Sequence, residues 1–302
     1  MKKVSILLAA AVALSLTACG GGKTETAAPS AEAQTTQAEA GDKTEAAEKT
    51  EAAGSEAAKP ADMKDTWVMA INATFPPFES IGDNPDEYVG IDIDIANYIA
   101  EKLGVKLEIQ DMQFSALVPT MQSGRADWIV SGLSPTQERK DILAFTKSYY
   151  YPMNAIICQE GAAYDTLDTL KDKTIGVSMG TSYANIAHSV EGANVSELDN
   201  TPLVIQDILN GRCDAGIFDS TQAAVFVNEN QGLEMHIIDS EVTEADSFAI
   251  ALPKDSPYVD QINGILDEMM TDGTFHEILV KYLGEDATTQ YETFLKNLKI
   301  AQ

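Results

Sequence analysis

Residues 131–139, with the sequence SGLSPTQER, carry groups that could bind a small carboxylate. The guanidinium of Arg139 presents a planar fork of N–H donors that matches two carboxylate oxygens. The hydroxyls of Ser134 and Thr136, and the free backbone amides expected next to Gly132, could add hydrogen bonds. The same stretch is also typical of a surface turn whose arginine forms a weak, exposed ion pair. The elements that position the stretch decide between these two interpretations.

The stretch follows an apolar run at residues 128–130 that predicts a buried strand. Upstream, apolar runs at 67–71 and 105–109 predict further strands, as does an alternating pattern at 88–94 that then changes to helical spacing. Apolar residues at helical spacing predict helices capped by Asp94 and by Ser115. This alternation of strands and helices is typical of a largely parallel sheet with helices on its faces.

The motif Gly-Arg-x-Asp occurs twice, at residues 124–127 and 211–214. Each copy lies between a predicted helix and a short apolar strand. The first strand leads into Ser131 and Gly132, and the second leads into Asp219. The recurrence predicts two related α/β lobes, each of which presents polar groups at the end of a strand.

The second lobe contains another element suited to a carboxylate. A predicted strand at 173–177 is followed by a turn of small residues and by a helical pattern that begins near Tyr183. Unpaired amides and the helix dipole both favour an anion at such a helix N-terminus. Thr181 and Ser182 lie in this turn, so we expect them to contribute to the same kind of site as Arg139.

The overall charge argues against nucleic acid as a partner. The 302 residues carry a formal net charge of -27, whereas binding to phosphates requires a basic surface. The acidic residues are spread along the chain, which is typical of a solvated protein surface.

The N-terminus has the pattern of a bacterial lipoprotein signal peptide, residues 1–19. Lys2 and Lys3 precede an apolar segment at 4–16, and the sequence LTAC ends at Cys19. We expect cleavage before Cys19 and attachment of lipid, including palmitate, to this residue. An ordinary secretory signal with an incidental cysteine is the alternative. Residues 20–65 lack aromatic side chains and Trp67 is the first, so we expect a disordered acidic linker between lipid and folded domain.

The remaining cysteines and the histidines give little indication of a cross-link or a metal. Cys158 and Cys213 could form a disulfide outside the cytoplasm, but the sequence does not show whether they lie within reach of each other. His188, His236 and His276 are scattered without ligand spacing. We therefore expect neither a metal site nor a cofactor.

Together these residues resemble the bacterial extracellular solute-binding proteins of family 3, the polar amino-acid receptors of ABC importers. The main match is residues 90–95 (GIDIDI), followed by Ile99, Ala100 and Leu103. Supporting matches occur in the order of the family at 75–79 (FPPFE), 124–127 (GRAD), 131–139, 145–146, 149–150, 180–181 and 272–274 (DGT). The resemblance covers residues 66 to 284.

The resemblance implies a type II periplasmic-binding-protein fold, in which two α/β lobes joined by two hinge strands close on a ligand in the cleft between them. Residues 66–152 and 249–302 would form the first lobe, and residues 153–248 would form the second. No catalytic residues are implied.

The resemblance also implies a role for each candidate binding residue. Arg139 would hold the α-carboxylate, helped by Ser134 and by Thr181 or Ser182. Asp219 would bind the α-ammonium.

Other residues would surround the rest of the ligand. Ser131 and Gly132 would present backbone groups beside it, and Phe75 and Phe114 would flank its side chain. Asn72 stands where some relatives that bind cationic side chains carry an aspartate, which favours another type of ligand. Tyr183 would complete the side-chain pocket.

The function implied is that of a monomeric, lipid-anchored receptor on the extracytoplasmic face of the cell membrane. It would bind a free polar amino acid and deliver it to the permease subunits of an ABC importer. One alternative is an enzyme on the same fold, such as a small-acid dehydratase, with Glu79 as the nearest candidate for a general acid. A second alternative is the ligand-sensing component of a receptor.

Overall fold

The computed structural model describes residues 63–299. The predicted signal peptide with Cys19, and residues 20–62 of the predicted linker, lie outside the described residues. Within the described part of the chain, no helix has the length and apolar character needed to cross a membrane.

The secondary structure alternates between strands and helices, as the sequence predicts. The strands are β1 Thr66–Ile71, β2 Thr74–Phe75, β3 Glu79–Ile81, β4 Tyr88–Val89, β5 Lys106–Asp111, β6 Trp128–Ile129, β7 Leu143–Tyr150, β8 Asn154–Gln159, β9 Thr174–Ser178, β10 Asn194–Leu198, β11 Ala215–Asp219, β12 Leu233–Ile237 and β13 Phe248–Pro253. The helices are α1 Ile91–Leu103, α2 Phe114–Gln122, α3 Gln137–Ile142, α4 Ser182–Ser189, α5 Thr201–Leu209, α6 Ser220–Glu229, α7 Val259–Asp272, α8 Thr274–Leu283 and α9 Glu285–Asn297. Short 3₁₀ turns occur at Leu167–Leu170 and Glu244–Asp246.

Two five-stranded sheets of the same topology form the two lobes. The first has the strand order β5-β1-β6-β13-β7, and the second has the order β10-β9-β11-β8-β12. In each sheet the first three strands are parallel, and the last two continue in antiparallel pairing. The first lobe also carries a small sheet of β2, β3 and β4. The observed topology therefore agrees with the prediction of two related α/β lobes.

The two Gly-Arg-x-Asp turns make the same contacts in both lobes. The carboxylate of Asp127 accepts a hydrogen bond from the backbone N–H of Val68 at 2.9 Å, and that of Asp214 accepts one from Thr174 at 2.8 Å. Each aspartate N–H in turn donates to the carbonyl of the same partner residue. The motif thus joins β6 to β1, and β11 to β9, at equivalent positions.

The chain crosses between the lobes twice, at residues 151–153 after β7 and at residues 238–247 before β13. Helix α9 packs against the first crossing. The ring of Tyr291 stacks on Tyr150 with centroids 4.3 Å apart, and its hydroxyl accepts a hydrogen bond from the N–H of Tyr151 at 2.9 Å. The hydroxyl of Tyr150 lies 2.9 Å from that of Thr221 in the second lobe. The C-terminal helix is therefore coupled to the hinge.

Cys158 and Cys213 are both free and buried. Cys158 packs in the cluster around Ile156 and Ile217, whereas Cys213 packs in the cluster around Ile157 and Phe218. Alternate residues of a strand face opposite sides of a sheet. The two thiols therefore lie on opposite faces of the second sheet, and the disulfide that the sequence left open is not formed.

Two predicted helix caps were wrong. The cap of α1 is Gly90, not Asp94, and the predicted strand ends at Val89. The helix starts early because the carboxylate of Asp92 is buried, where it accepts hydrogen bonds from Gly132 N–H at 2.6 Å and Tyr149 hydroxyl at 2.8 Å. The cap of α2 is Gln113 rather than Ser115, which lies in the first turn.

Gly90 allows a close approach of two backbone segments at the start of α1. Its φ is 141°, and a Cβ atom there would lie 2.0 Å from the carbonyl oxygen of Phe78. We predict that Gly90→Ala lowers the free energy of unfolding by about 3 kcal/mol or more, because it adds a clash to an unfavourable φ. Urea denaturation followed by tryptophan fluorescence measures this loss.

Gly104→Ala is the matched control, since Gly104 also has a positive φ of 66° but has open space around it. This variant should lose about 1–2 kcal/mol from the left-handed backbone alone. Equal losses in the two variants would contradict the account of Gly90.

Candidate functional site

The predicted binding residues meet at one cleft between the two sheets. All of them except Ser131 and Asp219 line this cleft, namely Asn72, Phe75, Phe114, Gly132, Ser134, Arg139, Thr181, Ser182 and Tyr183. Ser131 and Asp219 are fully buried at the ends of β6 and β11, beneath the lining. The cleft lies at the carboxyl ends of the parallel strands of both sheets. This is the usual position of a ligand in open α/β sheets.

Arg139 connects the two lobes across the cleft. Its Nη1 donates to the carbonyl oxygen of Ser134 at 2.8 Å, and its Nη2 donates to the carbonyl oxygen of Gly180, also at 2.8 Å. The guanidinium carbon lies 5.6 Å from the centre of the Phe114 ring. Among the described residues, no acidic side chain forms an ion pair with Arg139. The interpretation of this stretch as a turn with an exposed ion pair is therefore wrong.

Arg139 is largely buried, and its guanidinium contacts groups of both lobes. Desolvation lowers the pKa of Arg139 to about 10, so the side chain remains charged at neutral pH. A guanidinium that has no acidic partner retains its attraction for an external carboxylate.

The N-terminus of α4 faces Arg139 from the second lobe. Thr181 is the N-cap residue of this helix, and its hydroxyl donates to the carbonyl oxygen of Ser178 at 2.7 Å. The hydroxyl of Ser182 lies 3.4 Å from that of Ser134. Positive charge from the guanidinium and the positive end of the helix dipole thus occur on opposite sides of the cleft, and both favour an anion.

Asp219 is the N-cap residue of α6 and one of its carboxylate oxygens is unpaired. Oδ1 accepts hydrogen bonds from the N–H groups of Thr221 at 2.9 Å and Gln222 at 2.8 Å. Oδ2 is buried and has no hydrogen-bond partner within the described residues. Burial raises the pKa of Asp219 to about 7. A cation placed at Oδ2 would complete this carboxylate and restore its charged form.

A pair of buried carboxyl groups supports the turn at Ser131 and Gly132. Asp92 accepts a hydrogen bond from the Gly132 N–H at 2.6 Å, and Glu79 accepts one from the Ser131 hydroxyl. Burial and the neighbouring charge of Asp92 raise the pKa of Glu79 well above its usual range, while burial raises that of Asp92 to about 6. The raised pKa favours the protonated form of Glu79, and a protonated Glu79 avoids two adjacent buried charges.

This support corrects one expectation about the site. The amide of Gly132 is not free to bind a ligand, because Asp92 uses it. The hydroxyl of Ser131 is also occupied, since it accepts from the N–H of Asn72 at 3.0 Å. Gly132 itself is required here because its φ is 49° and a Cβ atom would lie 2.4 Å from the ring of Phe75.

Asn72 is held by lobe-internal contacts. Its Nδ2 donates to the carbonyl oxygen of Met112 at 2.7 Å, and its Oδ1 accepts from the hydroxyl of Thr74 at 2.7 Å. The side-chain amide of Asn72 can therefore bind a ligand only through its second N–H or through the remaining lone pair of Oδ1.

Sequence reasoning missed five lining residues, which are Ser178, Thr201, Ile217, Phe218 and Gln222. Gln222 had a detectable signal, because it follows Asp219 by three residues just after a predicted strand. Its Nε2 donates to the carbonyl oxygen of Thr74 at 3.5 Å, a contact between the lobes. The others lie on elements that meet the cleft only through tertiary packing.

Comparisons with known proteins agree with this architecture. The family model described as bacterial extracellular solute-binding proteins, family 3, matches residues 67–285. The arginine-binding extracellular protein ArtP of Bacillus subtilis is 29% identical over 287 residues, which cover 93% of this chain and 98% of that protein. The lysine/arginine/ornithine-binding periplasmic protein of Escherichia coli is 31% identical over 236 residues, which cover 75% of this chain and 90% of that protein.

A solved structure of an ancestral arginine-binding protein bound to arginine superposes with a TM-score of 0.69. It is 34% identical to this chain, and the match covers 74% of this chain and all (100%) of the solved one. The predicted two-lobed fold and the predicted family are both confirmed. These named relatives are binding proteins, which disfavours the enzyme alternative. The chain belongs to the bacterial extracellular solute-binding proteins of family 3.

Proposed function

We propose that this protein captures a free polar amino acid in the cleft and delivers it to the permease subunits of an ABC importer. The observation that carries the proposal is the placement of two incomplete charges at one cleft. Within residues 63–299, Arg139 of the first lobe has no acidic partner, and Asp219 of the second has an unpaired carboxylate oxygen. A zwitterion supplies one partner for each.

Arg139 binds the α-carboxylate in this proposal. The hydroxyls of Ser134 and Ser182, already 3.4 Å apart across the cleft, add hydrogen bonds together with Thr181. To receive the carboxylate, Arg139 exchanges its weaker bonds to neutral carbonyls for charge-assisted bonds.

Asp219 binds the α-ammonium through Oδ2. The bonds from Thr221 and Gln222 fix the carboxylate on Oδ1 and leave Oδ2 for the ligand. A ligand that lacks the ammonium leaves this buried oxygen unpaired, so the site discriminates strongly in favour of amino acids.

The ligand side chain lies among Phe75, Phe114, Asn72 and Tyr183, with backbone groups of Ser131 and Gly132 beside it. This is a mainly aromatic pocket with one amide. Relatives named for arginine, and for lysine, arginine and ornithine, make arginine the first ligand to test. Asn72 adds no charge opposite a cationic side chain, so uncharged polar amino acids such as glutamine belong in the same test.

Binding works through closure of two lobes, which we assign to residues 66–152 with 249–302 and to residues 153–248. Ligand contacts come from both lobes and therefore stabilise the closed form, which shifts an existing equilibrium between open and closed forms. The importer recognises the closed form. Residues of one chain line both sides of the cleft, which supports the proposal that the protein acts as a monomer.

No catalytic step is needed for this function. Glu79, the candidate general acid, is fully buried beneath the cleft and its hydrogen bonds support the Ser131 turn. Because the hydrogen bond from Ser131 already engages Glu79 and the relatives reported above are named as binding proteins, we propose that the protein is not an enzyme.

We further propose that the protein is a lipoprotein anchored at Cys19 to the extracytoplasmic face of the cell membrane. The support is the signal-peptide pattern of residues 1–19 with its LTAC sequence. Residues 20–62 act as the tether that lets the domain reach the importer, because Met63, within the predicted linker of residues 20–65, already packs in the core of the first lobe.

We predict that Arg139→Ala weakens binding of the preferred amino acid by at least about a hundredfold, because it removes a bidentate charged contact. Isothermal titration calorimetry against arginine, lysine, histidine, glutamine and cystine measures this. Arg125→Ala is the matched control, since Arg125 is an exposed arginine of the same lobe that donates to Ser123 and Thr120 outside the cleft. Unchanged affinity in Arg139→Ala would refute the proposed site.

Asp219→Asn should abolish binding yet stabilise the ligand-free protein at high pH. The folded pKa of about 7 exceeds the unfolded value of 3.8, so the folded state keeps a proton that the unfolded state loses. Stability of the wild type therefore falls between about pH 4 and pH 7. Asparagine keeps the Oδ1 acceptor that caps α6 and does not ionise. The variant therefore does not lose the unfolding free energy that the wild type loses, which amounts to about 2–4 kcal/mol at pH 8.

Urea unfolding of wild type and Asp219→Asn at pH 4.5 and pH 8 provides the test. The stability difference should be large at pH 8 and small at pH 4.5. Asp83→Asn, a change at an exposed acid, should match the wild type at both values. A variant less stable than the wild type at pH 8 would show that Asp219 is already neutralised by a partner.

Lipid attachment is tested by expressing Cys19→Ala in a bacterial host with labelled palmitate. The wild type should incorporate the label and sediment with membranes, whereas Cys19→Ala should do neither. Cys213→Ala should behave like the wild type. Label in Cys19→Ala would place the lipid elsewhere.

A further inference from the structure

Cys158, Glu234 and His236 lie together on one face of the second sheet. Strands β8 and β12 pair in antiparallel fashion, with Cys158 opposite Glu234. His236 follows Glu234 by two residues on β12, so the two side chains point to the same face. The spacing of these residues along the chain gives no indication of this cluster, because it depends on the pairing of β8 with β12.

The potential donor atoms have the separations of metal ligands. The Sγ atom of Cys158 lies 3.8 Å from Oε1 of Glu234, and Nε2 of His236 lies 3.3 Å from the same oxygen. All three donor atoms lie within 4.8 Å of one another. Tetrahedral zinc with ordinary bond lengths places sulfur and oxygen ligands about 3.6 Å apart, and nitrogen and oxygen ligands about 3.4 Å apart.

The hydrogen bonding of the cluster is incomplete in a way that suits a cation. Nε2 of His236 is buried and makes no hydrogen bond within the described residues, since its approach to Glu234 has the wrong geometry. The N–H of Gly161 donates to Oε1 of Glu234 at 3.2 Å and so orients this carboxylate. Cys158 is a free thiol.

The cluster lies close to the protein surface. Cys158 is fully buried, but the side chains of Glu234 and His236 each retain 31% of their exposure. These two residues therefore form the outer side of the cluster, with the sulfur at its base.

We propose that Cys158, Glu234 and His236 bind a zinc-type divalent transition-metal ion. Thiolate, imidazole and carboxylate are the donors that zinc accepts, and the combination is too soft for magnesium or calcium. As the sulfur–metal bond forms, the thiol proton passes to solvent. The fourth position is open to water.

The metal site is separate from the amino-acid cleft. Asn154, at the start of β8, pairs with Asp219, whereas Cys158 pairs with Ala215. Four residues of strand separate Asn154 from Cys158, or about 13 Å at ~3.3 Å per residue. Because β12 is an edge strand, a bound ion fastens the edge of the second sheet to its neighbour β8. The ion stabilises the folded protein through mass action.

The test uses the reduced, purified protein with Co²⁺ as a spectroscopic probe and with Zn²⁺ in calorimetry. We expect one strongly bound ion and a thiolate-to-cobalt charge-transfer band that Cys158→Ser eliminates. Glu234→Gln and His236→Gln should each weaken zinc binding by at least about tenfold, since loss of even an outer partner costs that much. Circular dichroism confirms that each variant is folded.

Cys213→Ser is the matched control, because it removes a second buried thiol on the opposite sheet face. It should retain the band and the zinc affinity of the wild type. The proposal is overturned if the wild type gives no thiolate band, if the band persists in Cys158→Ser, or if Glu234→Gln and His236→Gln both bind zinc like the wild type. His236 is partly exposed, so His236→Gln remains informative even if Cys158→Ser does not fold.

Discussion

Removing a charged group from water is costly, and this protein does so on both sides of one cleft. Asp219 is held beneath the surface by two backbone N–H groups on one oxygen, while its other oxygen has no hydrogen-bond partner among the described residues. Arg139 faces the same cleft and donates only to neutral carbonyls. Burial raises the pKa of Asp219 and lowers that of Arg139. Both shifts reflect the desolvation of a charge, which an oppositely charged group of a zwitterionic ligand can offset.

The rest of the first lobe holds this arrangement rigid. Glu79 and Asp92 form a carboxyl pair under the Ser131 turn, and their hydrogen bonds define the floor of the cleft. Gly90 permits the tight packing that begins the helix carrying Asp92. Polar contacts join the lobes across the cleft, such as those from Arg139 to Gly180 and from Gln222 to Thr74.

The sequence contained most of the fold and a large part of the site. Strand and helix periodicity, and the repeated Gly-Arg-x-Asp turn, identified the two related sheets because these signals are local. The predictions that failed concerned features that depend on contacts with residues distant in the chain. Asp94 looked like a helix cap, but the burial of Asp92 sets the start of α1. The Gly132 amide looked free, but Asp92 approaches it from forty residues away. Phe218 and Thr201 reach the cleft only through sheet and helix packing, and Cys158 meets His236 only through strand pairing.

The central claim is that the ammonium of an amino acid completes the carboxylate of Asp219. The most direct measurement is an NMR titration of the Asp219 side-chain carboxyl carbon, without ligand and at saturation with the tightest-binding amino acid. The account predicts a pKa near 7 in the free protein and a pKa well below the usual aspartate range in the complex, since a neighbouring cation favours the charged form. A pKa that does not change on saturation would contradict the account.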